Sequence, residues 1–155
     1  MTRYLRSIML AALTAGLMVA ACGPKVVRGQ PPFAQVNALR LDGTALQLEL
    51  GLRNINDEPM EVQYLQLTLT VQETELTAHE GPLTAIISAN GKETLSLRLP
   101  ASETGRRLLA ALEDGAHTNL PYQLRGSLQT AGDSELPFQS NGRLYPVPGR
   151  SGQFR

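Results

Sequence analysis

The chain has 155 residues, room for one domain once a targeting segment is set aside. Its 14 basic residues balance its 14 acidic ones, Trp is absent, and there are one Cys and two His. These figures exclude a polybasic nucleic-acid binder, a base-stacking platform, an internal disulfide and a cysteine- or histidine-rich metal centre, while 42% hydrophobic residues suffice for a packed core.

Residues 1–21 read as a secretion signal. Arg3 and Arg6 supply the positive start, and Ile8 to Val19 is an apolar stretch shorter than the ~20 residues a spanning helix needs. It ends in Val19-Ala20-Ala21-Cys22-Gly23. A branched residue and two small residues before a lone cysteine resemble the lipobox of bacterial lipoproteins. The resemblance implies cleavage between Ala21 and Cys22 and acylation of the Cys22 thiol, so that membrane lipid becomes the anchoring partner. Gly23 stands where an aspartate would resemble an inner-membrane retention signal, which points to the outer membrane, facing the periplasm, if the host is Gram-negative. Removing Arg3 and Arg6 leaves 12 basic against 14 acidic residues, a formal charge of −2. Residues 22–32 then form a tether bounded by Gly and Pro, with a reach of about 35 Å.

Residues 33–146 read as one β-domain. Leu46, Leu48, Leu50 and Leu52 alternate with polar or small residues, as do Leu65, Leu67, Leu69 and Val71, then Leu95, Leu97 and Leu99, then Tyr122, Leu124, Gly126 and Leu128. Period two places each set on one face of a strand, whereas a helix would spread it around the circumference. Asp42-Gly43, Asn54 to Pro59, Asn90-Gly91, Gly132-Asp133 and Asn141-Gly142 supply turns. Short strands with one polar face predict an all-β fold, an antiparallel β-sandwich of the immunoglobulin or fibronectin-III kind.

One segment departs from that period. Ala101 to Asp114 carries Leu108, Leu109 and Leu112 at helical spacing, with Ser102 as N-cap and Gly115 as the stop. It predicts one short helix covering an end or edge of the sandwich. Residues 147–155 read as a flexible C-terminal tail.

The strand Leu46 to Arg53 runs into Asn54-Ile55-Asn56-Asp57-Glu58-Pro59. Next come the strand Val62 to Val71, Pro82-Leu83, Ser88-Ala89-Asn90-Gly91, and a final Tyr122-x-Leu124-x-Gly126 strand. In this order they resemble the WHy domain of the group-2 late embryogenesis abundant proteins, whose strand ends in Asn-Pro-Asn followed by a proline. Asn54, Asn56 and Pro59 fall on three of those positions, and Ile55 replaces the middle proline. The resemblance covers Phe33 to Leu144. Its Asn pair is read as structural, the side chains capping the turn through nearby backbone.

The remaining chemistry is thin. Gly132-Asp133-Ser134-Glu135-Leu136 approaches an esterase serine motif, but Glu135 interrupts it and a hairpin turn explains it better. His79 and His117 sit in polar contexts with nothing bringing them to Ser134. Glu73 and Glu75, two apart on what reads as a strand, form a solvated face rather than a cation site. The chain therefore reads as a non-enzyme with no cofactor, no metal, no nucleic acid and no small-molecule substrate. The family resemblance implies a stress-protective role toward non-specific client proteins. The alternative is an envelope module that binds another protein, for instance by strand addition.

Overall fold

The computed structural model describes residues 26–132 and 134–155. The signal segment, Ala21 and Cys22 lie outside the described residues.

The elements in chain order are β1 (Phe33–Asp42), β2 (Ala45–Arg53), β3 (Met60–Val71), β4 (Thr74–Ile87), β5 (Lys92–Pro100), α1 (Glu103–Glu113), β6 (Leu120–Thr130), β7 (Glu135–Leu144) and β8 (Gln153–Phe154). They form two antiparallel four-stranded sheets, ordered β5-β2-β1-β8 and β4-β3-β6-β7. This is the all-β sandwich that the leucine alternation predicts. Leu46, Leu48, Leu50 and Leu52 of β2 face Leu65, Leu67, Leu69 and Val71 of β3 across one core, all buried. Each such side chain contributes about 1.5–3 kcal/mol of burial. A one-residue slip of either central strand would turn its leucines to water, so the core also fixes the register.

The helix forms where its signals place it. Ser102 Oγ accepts from the Gly105 N–H at 3.0 Å and donates to the Glu75 carbonyl at 2.5 Å, capping α1 and fastening it to β4 together. Gly115 (φ +79°) follows the Asp114 C-cap. Leu109 and Leu112 are buried, and Gly105 lies so close to Leu76 that a Cβ there would stand 2.6 Å from its Cδ1. The helix thus covers the start of β4, an edge strand.

The structure corrects the sequence reading in four places. Residues 147–155 are no free tail: Gln153 and Phe154 pair with Arg40 and Leu39 of β1, and Phe154 is only 1% exposed. A large apolar ring covering the flank of β1 outweighs the polar composition around it. Asn141-Gly142 is not a turn but lies inside β7, opposite Gln123 and Tyr122. Gly142 is required because the Tyr122 ring lies over it, 2.5 Å from where a Cβ would be. Glu73 is not on a strand; with Gln72 it makes the β3–β4 turn, both at positive φ (66° and 46°), and only Glu75 belongs to β4. The tether, finally, is shorter than its sequence suggests, because Val27 and Gln30 are already hydrogen-bonded to the domain.

Candidate functional site

The segment Asn54 to Pro59 joins the two sheets between β2 and β3, and it holds two of the three buried polar side chains among the described residues, the third being Thr77 on β4. Asn54 is fully buried and Asn56 nearly so. The strand pairing leaves carbonyls of Glu58, Ile87 and Ser88 turned inward here, and the Asn54 side-chain amide donates to all three at 2.8, 3.2 and 3.1 Å. Its Oδ1 accepts from both the backbone and the side-chain amide of Asn56, each at 2.9 Å. Asn56 in turn brackets Gln30, donating to its carbonyl at 2.9 Å and accepting its N–H at 2.8 Å. Backbone bonds from Asn54 to Gly91 and from Asn90 to Asn56 close the loop onto the β4–β5 connection.

Asp57 completes the knot. It exchanges a bidentate pair with Val27, the Val27 N–H donating to Oδ2 at 2.7 Å and the Asp57 N–H donating to the Val27 carbonyl at 2.9 Å. Its Oδ1 accepts the Asn90 side-chain amide at 3.0 Å. The Val27 N–H and then the Asn90 amide hold its carboxyl below the ordinary 3.8, against a smaller opposing effect of desolvation. Pro59 is exposed and ends the turn. It borders an open cleft of about 520 Å³ whose walls include Arg28, Glu58, Thr130 and Leu136.

The amide groups of Asn54 and Asn56 are thus consumed in holding backbone, which makes the motif a clamp between three chain segments. Asp57, Asn90 and the incoming residues 27–30 belong to it as well. Sequence reasoning missed them; the signal available was an Asn-Asp turn and an Asn-Gly turn flanking one strand pair, both rich in side chains that bond local backbone.

The other candidate residues do not converge. Ser134 lies in the β6–β7 hairpin, its carbonyl bonded to the Thr130 N–H at 3.0 Å. His79 is on β4 opposite Leu67, three strand spacings from β7, roughly 14 Å, and His117 is in the α1–β6 connection. Among the described residues no group of three His, Cys, Asp or Glu is placed to hold a metal ion. Nor is any helix there long and apolar enough to cross a membrane.

Fold and clamp together define a class: a two-sheet antiparallel sandwich whose buried asparagines lock its turns. The sequence profile of the late embryogenesis abundant protein family (LEA_2) matches residues 49–142, and the chain belongs to that family. Its fold is similar to the solution structure of AT1g01470 from Arabidopsis thaliana, with a TM-score of 0.59 at 13% identity over 85% of this chain and 93% of that one. A late embryogenesis abundant (LEA) protein, At2g46140.1, aligns over 97% of this chain and 90% of its own, at 14% identity and a TM-score of 0.47. A protein from Archaeoglobus fulgidus aligns over 73% and 96%, at 12% identity and a TM-score of 0.46. No curated protein matches the sequence.

Proposed function

We propose that the chain is a lipid-anchored, non-catalytic domain of the WHy type that protects neighbouring proteins from aggregation when water is withdrawn by drying or freezing. Membership of the late embryogenesis abundant family supports a stress-related role. The observation that carries the reading is the outer face of the β4-β3-β6-β7 sheet. The β3 residues Gln66, Thr68 and Thr70 lie beside Ser127, Arg125 and Gln123 of β6, with Gln139 and Asn141 beyond them on β7. Such a face keeps a hydration layer and offers many weak hydrogen bonds; its depressions, one of about 730 Å³ whose lining includes Thr70, Gln123 and Asn141 and one of about 200 Å³ beside Gln66 and Thr68, are open to solvent. Its two edges resist strand pairing: β4 carries Pro82 and two bulges, and β7 carries Pro137. A protective surface must not itself aggregate as solutes concentrate, and these edges meet that demand.

Anchoring rests on the Val19-to-Gly23 junction. Mass spectrometry of the membrane fraction is expected to find acyl mass on an N-terminal Cys22 peptide, and Cys22→Ala is expected to move the protein to the soluble fraction. A strain lacking the protein is expected to be broadly sensitive to drying and freezing.

A second reading is favoured by β5. Its nine residues pair with β2 without a bulge, and its other edge is open, with Leu95 and Leu97 half-buried beside it. That edge could take a strand from an envelope protein. A deletion phenotype confined to one assembly or permeability defect, with normal survival of drying, would favour this module over the shield.

A further inference from the structure

Among the described residues five large apolar side chains stand well into solvent, and four of them belong to the clamped end of the sandwich. Val26 (54% exposed) and Val27 precede the clamp, Phe33 (65%) opens β1, and Ile86 (64%) adjoins Ile87, whose carbonyl the Asn54 amide holds. The fifth, Tyr145, follows β7 at the opposite end.

The same end carries a cationic pair. Phe33 pairs with Arg53, and Arg53 with Lys92, so a ring and two cations form one row across β1, β2 and β5. Like charges directly opposite one another in a sheet repel. Neither Arg53 nor Lys92 makes a salt bridge among the described residues. Of the carboxylates at this end, Glu58 pairs with Arg28 at 2.6 Å, Asp57 is held by Val27 and Asn90, and Glu93 falls on the opposite face of β5 from Lys92, while Glu61, opposite Ile86 on the other sheet, is exposed and makes no salt bridge among the described residues. An anion from outside would relieve the pair.

Phe33, Arg53 and Lys92 lie on the outer face of one sheet and Ile86 on that of the other, so an end-on approach brings all of them to one plane. An exposed ring, apolar side chains and two cations at one end match the chemistry of a bilayer interface, where rings sit at headgroup level and cations meet phosphate. The chain enters at this end as well. From Cys22 to Val27 it can span at most ~18 Å, since Val27 is the first residue bonded to the clamp. We propose that this end is seated in the phosphate layer of the membrane. Phe33, Val26 and Ile86 lie at the interface, Arg53 and Lys92 rest on lipid phosphates, and the α1 end projects into water. The inference rests on the anchoring reading for its geometry and adds a defined orientation to it.

The chain has no Trp, so single reporters can be introduced cleanly. Full-length Phe33→Trp, Ile86→Trp and Tyr145→Trp proteins would be reconstituted in vesicles of phosphatidylethanolamine and phosphatidylglycerol, with and without brominated acyl chains. Phe33→Trp and Ile86→Trp emission is expected to shift to the blue and to be quenched at least twofold, and Tyr145→Trp emission to be unchanged. Arg53→Gln with Lys92→Gln is expected to halve the quenching at position 33. Equal, water-like emission from all three reporters in acylated protein would overturn the orientation. If mass spectrometry finds no acyl group on Cys22, the anchoring reading alone fails. The same reporters mixed with preformed vesicles then decide the docking: quenching at 33 and 86 supports it and none contradicts it.

Discussion

Among the described residues no side chain makes more hydrogen bonds than Asn54, whose one amide closes three backbone carbonyls and whose oxygen orients Asn56. Asn54→Ala should leave those groups buried without partners and cost about 3 kcal/mol, read from the urea midpoint. Asn54→Asp, nearly the same shape, should be at least as damaging, since a carboxylate would face the carbonyls. Ile55 behaves differently. No hydrogen bond from its backbone N–H is found among the described residues, and Asn54 leaves the extended strand β2. Ile55→Pro, which would complete the Asn-Pro-Asn pattern that this segment resembles, should therefore be neutral or stabilise by about 0.4–1 kcal/mol through the unfolded chain. Asp57 gives the clamp a pH dependence. Its folded pKa lies below 3.8, so its contribution is fully present above that value and is lost as pH falls through the lowered folded pKa. Protection of the Val27 amide against hydrogen exchange, taken relative to the intrinsic rate at each pH, should fall in that acidic window in the native chain, and should already be low at neutral pH in Asp57→Ala.

Elements were legible where one face is continuously apolar. Strands β2, β3, β5 and β6 show their leucine alternation directly, and α1 shows both its cap and its stop. Strand β1 is obscured because the bulge at Asn37 shifts the inward set from Ala34 and Val36 to Leu39 and Leu41. Two bulges do the same to β4. On β7 the inward positions after Phe138 are Ser140 and Gly142, whose small size suits Tyr122 and hides the strand. The clamp was half legible: the asparagines stood out, but their partners are backbone groups brought together by the fold. Strand β8 was invisible, being two residues long, yet it should matter. Phe154→Ala should cost about 3–5 kcal/mol, as for other buried rings, against near zero for a solvated tail, and denaturant unfolding separates the two. The β3–β4 turn holds Gln72 and Glu73 in the left-handed region, which costs about 1–2 kcal/mol each. Gln72→Asn with Glu73→Gly should recover roughly 1 kcal/mol, seen as a higher melting temperature.

At the scale of the whole molecule, the two ends of the sandwich differ. One end gathers the incoming chain, the asparagine clamp and exposed apolar side chains; the other carries α1 and the docked C-terminus. Between them lies a broad sheet face of amides and hydroxyls with no convergent catalytic group among the described residues. A client protein would meet this face through many weak contacts, so no single alanine substitution should abolish protection, whereas reversing several surface charges should change it. The most direct measurement is recovery of a freeze-sensitive enzyme after freeze–thaw in the presence of this protein, beside an equal mass of an unrelated β-sandwich. Protective function predicts clearly higher recovery with this protein at every concentration below saturation; equal recovery from both would contradict it.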